Sequence, residues 1–273
     1  SARGFVVANA NAYLYRLDLL DCVALDGEGG GGVLSTDIDG DNPTLEIYSC
    51  TFTSCSSSME HDQGGAVCIR GASSSLTDYL ITDCLFTLCE SAGYAGAFYA
   101  DDADGIIMNT SFIDCSAAIS GACEFRAGYV DIYECVFQGN STTGDGGAIR
   151  VYSDDALITI EDSSFSENQA RSGSAIYQTR GTVTLSNCEI TDNMATYNGC
   201  LHLRDNDVAA IIEVSGCRFS GNETAVGCAG ISGDAVVNLT VTDSVICDHA
   251  QDGDISIAYT DGGGNDLGNW CCP

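Results

Sequence analysis

The sequence predicts an all-β fold built as a parallel solenoid, because a short pattern recurs along the chain, long helical patterns are missing and turn-forming residues are abundant. The 273 residues include 32 glycines but only two prolines, so turns depend on Gly, Asn, Asp and Ser. Apolar residues make up 45% of the chain, enough for a core. We expect residues 1–273 to form a single β domain, with repeats from about 17 to 258 and a C-terminal tail or cap over 259–273.

The repeat is anchored on one Phe or Ile per unit. Units such as CTFTSC at 50–55, CVFQGN at 135–140 and CRFSGN at 217–222 share this frame, and CVALDG at 22–27 is a weaker first member. Successive anchors lie 34, 26, 25, 28, 25, 29 and 27 residues apart. The anchors are Phe52, Phe86, Phe112, Phe137, Phe165, Ile190, Phe219 and Ile246.

Each unit contains an alternating strand, a polar turn and a glycine-rich step into a second strand, as in GGAVCI at 64–69 and GGAIRV at 146–151. A unit of this length with two or three short strands cannot bury its own apolar face, so it must stack on its neighbours. Stacked coils lie about 4.8 Å apart. The pattern predicts a right-handed parallel β-helix of about nine coils of 25–29 residues, with one longer coil.

Equivalent positions of successive coils form columns, and two columns are chemically distinctive. Three residues after the anchor the column reads Cys55, Cys89, Cys115, Asn140, Asn168, Asn193, Asn222 and His249. Stacked asparagines can bond one another and the backbone, so we expect a ladder of Asn140, Asn168, Asn193 and Asn222. Asn140 and Asn222 also begin N-glycosylation sequons, although we favour the ladder for both. The sequons outside the ladder, Asn109 and Asn238, are the first glycosylation candidates.

The second distinctive column, two residues before the anchor, is rich in cysteine. Sixteen cysteines indicate an oxidising compartment, and we expect an extracellular or cell-surface protein. Zinc is disfavoured, since no CxxC occurs and the histidines are scattered. Neighbouring coils could form disulfides, or the column could be a reduced, packed stack. Candidate pairs are Cys50 with Cys84, Cys55 with Cys89, Cys188 with Cys217 and Cys200 with Cys228, and Cys271 and Cys272 could bridge between subunits beside Trp270.

The charge is strongly acidic, with 39 acidic and 9 basic residues and a formal net charge of −30. Nucleic acid is therefore excluded as a partner, whereas cations, glycans on the acidic edge or a basic partner remain open. Acidic corners follow the second strands, for example at Asp101, Asp102 and Asp234. The best Ca²⁺ candidate is the group Asp37, Asp39 and Asp41, for which a solvated turn is the competing interpretation.

The pairing of FxxN with GGA[ILV], as FQGN with GGAI and FSEN with GSAI, resembles the repeats of chlamydial-type polymorphic outer membrane proteins. More widely, the chain is similar to right-handed β-helices that include pectate lyases. The resemblance covers residues from about 17 to 258 and implies a surface-displayed passenger used in adhesion. No apolar run approaches about 18 residues, so we expect no transmembrane segment.

Two functions from different classes follow. A polysaccharide lyase needs Ca²⁺ and a base, but lysine is absent and only arginines such as Arg70, Arg126 and Arg204 could supply cations. The paired carboxylates at 101–102 and 154–155 lack the accompanying motifs of a polygalacturonase. We therefore predict a non-catalytic extracellular subunit of a disulfide-stapled filament or adhesive appendage, which self-associates through its solenoid ends. The alternative is a Ca²⁺-dependent lyase or a glycan-binding β-helix acting on an acidic polysaccharide.

Overall fold

The computed structural model describes residues 3–25, 27–36, 43–71, 77–204, 210–234, 238–247 and 254–268. Its strands form four sheets, and successive coils add one parallel strand to each sheet. We call these sheets A to D, and the chain passes repeatedly through B, C, D and A. The predicted parallel β-solenoid is confirmed. Within the described residues no helix has the length and apolarity needed to cross a membrane.

Sheets A and D form two sides of each coil. The strands of sheet A are Phe5–Ala8, Val33–Thr36, Val67–Arg70, Phe98–Asp101, Cys123–Phe125, Ile149–Val151, Ile176–Gln178, Leu201–Leu203 and Ile231–Gly233. The strands of sheet D are Val23–Ala24, Ser56–Ser57, Glu90–Tyr94, Ser116–Ile119, Ser141–Thr142, Gln169–Ala170, Met194–Tyr197 and Glu223–Val226.

Sheets B and C form the other sides, and both continue into the segment expected to be a tail or cap. Sheet B contains Ala12–Tyr15, Thr44–Tyr48, Thr77–Thr82, Ala103–Met108, Gly128–Tyr133, Ala156–Glu161, Thr182–Ser186, Ile211–Ser215, Asn238–Thr242 and Thr260–Asp261. Sheet C contains Asp18–Leu20, Thr51–Thr53, Leu85–Thr87, Ser111–Ile113, Val136–Gln138, Ser164–Ser166, Glu189–Thr191, Arg218–Ser220, Val245–Cys247 and Asp266–Gly268.

A complete coil therefore has four strands, where the sequence pattern suggested two or three. The alternating strand is broken by a single residue in the left-handed region, as at Ser49 with φ of 50°. A second such residue, Ser54 with φ of 52°, separates sheet C from sheet D. Gly, Asn and Asp adopt this conformation at lower cost than other residues, and they occupy most of these bends. The residue after each bend, here Cys50 or Cys55, is buried.

The anchor column forms a continuous apolar stack. Phe52 and Phe86 lie parallel with ring centroids 4.6 Å apart, and Phe137 and Phe165 stack at 4.7 Å. The first unit was misaligned: Leu19, rather than a residue of CVALDG, pairs with Phe52. Cys22 therefore lies three residues after the anchor of its coil, in the column of Cys55. It does not lie two residues before the anchor, where the cysteine pattern had placed it.

The glycine-rich step brings adjacent backbones very close together. A Cβ on Gly121 would lie 2.0 Å from the carbonyl oxygen of Gly147, and one on Gly147 would lie 2.1 Å from that of Ser174. Glycine is required at these two corners because no side chain fits that approach. The step then leads directly into sheet A, so the corner positions the side chains on the outer face of that sheet.

Candidate ligand-binding cleft

The outer face of sheet A gathers most of the positive charge of the protein. Arg150 lies in a sheet A strand, and the backbone N–H groups of Arg126 and Arg204 continue the ladder just beyond two others. Six of the nine arginines lie on or beside this face, namely Arg3, Arg70, Arg126, Arg150, Arg171 and Arg204. A local concentration of cations on so acidic a chain makes this face the first place to seek a binding site.

One line of residues runs along this face, which we call the outer row. Its members alternate along each strand with core residues such as Val67 and Ile69, so they point away from the core. Residues of adjacent strands are in register, for example Glu124 with Arg150 and His202 with Ser232. The outer row consists of Leu34, Cys68, Tyr99, Glu124, Arg150, Tyr177, His202 and Ser232.

The first half of the outer row is closed by its own side chains. Glu124 is fully buried and accepts hydrogen bonds from Arg126 Nε at 2.9 Å and Arg150 Nη1 at 3.2 Å. Arg126 also lies over the rings of Tyr94, Tyr99 and Tyr152, at 5.0, 5.6 and 5.4 Å from their centroids. Every cation in this cluster has a local anionic or aromatic partner, so this half is a packed polar layer.

Burial has the expected electrostatic effect on the titratable groups of the closed half. Tyr99 is fully buried, and its hydroxyl donates to Asp101 Oδ2 at 3.2 Å. Burial raises the pKa of Tyr99 well above its ordinary value, and it raises the pKa of Cys68 to about 12. Both groups are therefore protonated at neutral pH, and the Cys68 thiol is not a nucleophile there.

The second half of the outer row opens into a cleft of about 490 Å³. Asp145 at its rim accepts a bidentate pair from Arg171, with Nε–Oδ1 at 2.9 Å and Nη2–Oδ2 at 2.6 Å. Arg204 Nη1 donates a long bond of 3.4 Å to the Tyr177 hydroxyl, the one side-chain bond of its guanidinium to the part of the chain that the structure describes. The cleft is lined by Asp145, Arg171, Ser172, Tyr177, Tyr197, Asn198, His202, Arg204 and Asp234.

His202 is the most distinctive group of this cleft. Its ring lies beside that of Tyr177, with centroids 5.4 Å apart, and its Nδ1 is 2.9 Å from Ser232 Oγ. Burial lowers the pKa of His202 from its ordinary value of 6.5, so the imidazole is neutral at pH 7. The cleft thus combines two arginines, a neutral imidazole, two tyrosines and two carboxylates, which can hydrogen-bond a polar ligand on several sides.

Larger grooves follow the outside of sheet D, with volumes of about 630 and 700 Å³. They are lined mostly by Ser, Thr and Ala side chains, including Ser56, Ala117 and Thr142. The charged residues of these grooves are Glu90, Arg171 and Glu223, spread over their length. The smaller cleft on sheet A has the denser set of charged and aromatic groups, and we take it as the candidate site.

The sequence singles out Arg70, Arg126 and Arg204 as cations that end second strands on alternate or distant coils. In the structure they lie on such separate coils and share one face of sheet A, with Arg70 paired in register with Asp101. The sequence pattern did not reveal Glu124, Arg150, Arg171 or His202. A column alignment of the second strands would have found three of these, because polar or aromatic residues fill the outer-row position in six successive coils.

The predicted metal ligands Asp37, Asp39 and Asp41 lie outside the described residues, as do His249, Trp270, Cys271 and Cys272. Among the residues that the structure does describe, no group of three or more His, Cys, Asp or Glu side chains is arranged to hold a metal ion. At the acidic corners, Asp154 forms an ion pair with Arg180 at 3.4 Å. A Ca²⁺ site stays a prediction.

The asparagine column forms a hydrogen-bonded ladder. Asn140 Nδ2 donates to Asn168 Oδ1 at 3.0 Å and to the Phe112 carbonyl at 2.9 Å, and Asn168 bonds Asn193 in the same way. Asn222 ends this run and donates to the Ile190 carbonyl. Asn140 and Asn222 are fully buried, whereas the sequon residues Asn109 and Asn238 are exposed. Glycosylation stays a prediction, and exposure favours Asn109 and Asn238 as acceptors.

The cysteine columns align as expected between coils, but the sulfur atoms are thiols in the structure. The backbone N–H groups of Leu85, Glu90 and Arg218 bond the carbonyls of Cys50, Cys55 and Cys188, which aligns these cysteines with Cys84, Cys89 and Cys217. Cys200 instead lies level with Gly230, two residues beyond Cys228. Burial raises the pKa of Cys84 and of Cys135 to about 12, so these thiols are protonated at neutral pH. Disulfide formation stays a prediction.

Comparison with known proteins supports the architecture. A family model described as a right-handed β-helix region matches residues 31–213, more than half of the chain. Searches with this chain found no matching curated protein and no matching solved structure. The family match supplies the handedness of the solenoid, and it covers the strands that carry most of the outer row.

Proposed function

The chain belongs to the right-handed β-helix family, and we propose that it is an extracellular, non-catalytic glycan-binding protein whose cleft on sheet A holds an acidic saccharide. The observation that carries this proposal is the presence of Arg171 and Arg204 beside Tyr197 and His202 in one cleft of a chain with a net charge of −30. The likeness of its repeats to those of polymorphic outer membrane proteins stays part of this proposal and would imply surface display.

The donors of the cleft suit carboxylate or sulfate groups on a sugar. Among the described residues, Arg204 donates one long hydrogen bond, to Tyr177, so its planar guanidinium can donate to a better-placed anionic group. Arg171 has a side chain that is 54% exposed, although it already pairs with Asp145. Asp234 and Asn198 can accept or donate to sugar hydroxyls, and the half-exposed ring of Tyr197 offers an apolar face.

The acidic surface limits the form of the ligand. A long polyanion would be repelled by the overall charge, whereas a short oligosaccharide or a chain end can reach the arginines of the cleft. We therefore expect oligosaccharides of a few residues to bind better per sugar unit than long chains do.

The test is calorimetric titration with galacturonate oligomers, with their methyl-esterified forms as uncharged controls. Replacing Arg204 by Gln removes a charged hydrogen bond and should lower affinity by about 10-fold or more. Arg218→Gln, on an exposed residue of sheet C, is the matched control and should bind normally. Equal binding of acidic and esterified oligomers, or none of either, would refute the proposal.

A lyase assay separates binding from catalysis. The same oligomers are incubated with the protein and Ca²⁺, and the absorbance of unsaturated uronate products is followed. A steady increase that depends on the protein would replace the proposed binding function by the lyase alternative. An unchanged absorbance together with calorimetric binding is the expected result.

Assembly into a rod is a second candidate function, favoured by the first described coil. Its four strands lie at the edges of sheets A to D. It also exposes large apolar side chains on three of these sheets, with Val6, Tyr13 and Leu20 each at least 60% exposed. Unpaired edges with apolar side chains favour strand addition. We propose that a second copy of the chain stacks on this coil, giving the self-associated filament subunit that the sequence suggested.

Sedimentation velocity and negative-stain electron microscopy under non-reducing conditions test the assembly. The combined variant Val6→Lys and Leu20→Lys should convert large species to monomers. Tyr129→Lys changes a residue that is 61% exposed in the middle of sheet B, and it should leave assembly unchanged. A monodisperse wild-type monomer would contradict the filament.

A further inference from the structure

The imidazole of His202 is held from two sides on the outer row. The ring of Tyr177 lies beside it at 5.4 Å, and Ser232 Oγ on the next strand is 2.9 Å from Nδ1. His202 and Ser232 are paired in register, and they are only 5% and 3% exposed. This contact joins a residue of the cleft to one that does not line it, so the Ser232 hydroxyl can affect a ligand in the cleft through the imidazole of His202 but not by direct contact.

The hydrogen bonds of Ser232 decide which nitrogen of His202 carries the proton. Ser232 Oγ accepts the backbone N–H of Gly199 at 2.6 Å. A hydroxyl has a single proton to donate, and Nδ1 is the acceptor within reach. If Nδ1 were protonated instead, the serine proton would have no acceptor among the described residues, at a site with almost no solvent access. An unsatisfied buried donor is costly, so the arrangement favours an unprotonated Nδ1.

We propose that Ser232 is a positioning residue that holds His202 in the Nε2–H tautomer, so that His202, like Arg171 and Arg204, offers a hydrogen-bond donor to an anionic group of the ligand. This inference rests on the proposed saccharide binding and specifies how the cleft selects an acceptor. Nε2 is not among the buried side-chain atoms that lack a partner, which is consistent with its access to the cleft. Three donors in one cleft match carboxylate or sulfate oxygens better than hydroxyl protons.

Burial favours the neutral form of His202 and outweighs the effect of its charged neighbours. Asp145, Asp234 and Arg204 face it across the cleft, and Tyr177 packs against its ring. Desolvation lowers the pKa of His202 despite the two carboxylates, so the ring presents one N–H rather than two at pH 7. The tautomer therefore decides whether His202 presents a hydrogen-bond donor or an acceptor to a ligand in the cleft.

The tautomer can be measured without any ligand. Long-range ¹⁵N–¹H correlation spectra of the full ¹⁵N-labelled chain at pH 7 distinguish the two neutral tautomers and the imidazolium. The spectrum of His202→Gln assigns the signals of His202 among the three histidines. We expect Nδ1 unprotonated and Nε2 protonated. An Nδ1–H tautomer, or a charged ring, would overturn the inference.

Variants of Ser232 connect the tautomer to binding. Ser232→Ala removes the donor to Nδ1, so the tautomers should mix and affinity for galacturonate oligomers should fall by about 5- to 10-fold. Ser232→Thr keeps the hydroxyl and should restore both properties, which separates a positioning role from a loss of packing. Unchanged tautomer and affinity in Ser232→Ala would overturn the inference.

These outcomes are distinguishable from failure of the proposed function. If wild-type His202 has the Nε2–H tautomer but no acidic oligomer binds, the saccharide proposal is wrong and the assigned role of Ser232 in the tautomer stands. If acidic oligomers bind while His202 has the Nδ1–H tautomer, the saccharide proposal stands and the role of Ser232 is wrong.

Discussion

The two halves of the outer row on sheet A share one backbone geometry but have opposite accessibility. In the closed half, Glu124 binds two arginines and tyrosines cover the cluster. In the open half, Arg171 is drawn to Asp145 at the rim, and the space over Tyr177 and His202 remains a cleft. The two halves differ in where the carboxylate lies: Glu124 pairs with two arginines within the outer row itself, whereas Asp145 pairs with Arg171 at the rim and the row beside it stays open.

The largest expected effect of a single change is in the closed half. Glu124→Ala leaves Arg126 and Arg150 without their buried carboxylate, and we expect a loss of about 3 to 5 kcal/mol in the free energy of unfolding. Urea denaturation followed by circular dichroism measures it. The control is Asp154→Ala, because Asp154 and Arg180 are both about 40% exposed and their pair should contribute less than about 1 kcal/mol. Similar losses in both variants would contradict the distinction between a filled and an open face.

The second prediction concerns the response of the open half to pH. Because the pKa of His202 is lowered in the folded protein, the unfolded chain binds more protons as the pH falls below about 6.5. The stabilisation is fully present above that pH and is lost on acidification, by at most about 1.4 kcal/mol per pH unit.

Urea denaturation of the wild type and of His202→Gln at pH 7.5 and 5.5 isolates this contribution. The wild type should lose more stability than the variant between the two values. Identical losses would show that His202 is not held neutral in the cleft.

The smallest expected effect on stability comes from Asp145→Asn. The Asp145 side chain is only 11% exposed, but Arg171 is 54% exposed and an asparagine keeps one acceptor oxygen for it, so the free energy of unfolding should fall by about 1 kcal/mol. The same change releases the guanidinium into the cleft and should raise affinity for acidic oligomers several-fold. Denaturation and calorimetry on one preparation measure both, with Glu223→Gln on sheet D as a control for charge alone. Lower affinity would mean that Asp145 itself contacts the ligand.

The inward-facing columns could be predicted because every coil repeats them. Phe52, Phe86 and Phe137 recur at nearly constant intervals, and Asn140 and Asn168 follow at a fixed offset. The short bends could not be predicted as strand boundaries, since one left-handed residue such as Ser49 does not interrupt the alternation of apolar side chains. The first coil was misaligned for the same reason, because Leu19 looks like an ordinary strand residue without its partner Phe52.

The candidate cleft depends on pairs that no local pattern contains. Asp145 and Arg171 are 26 residues apart, and Glu124 and Arg150 are also 26 apart, so each pair joins neighbouring coils. Such pairs can be anticipated only once the register of the coils is known.

By itself the sequence determined the β-helix, its period and its buried columns, because the same inward residue must recur wherever one coil covers the next. The tertiary structure decided which outward residues meet on sheet A and where they leave a gap. The physical reason is that an inward side chain makes the same packing contact in every coil, so its residue type recurs in the sequence. An outward side chain pairs individually with a residue of the neighbouring coil, so no local pattern reveals the pair.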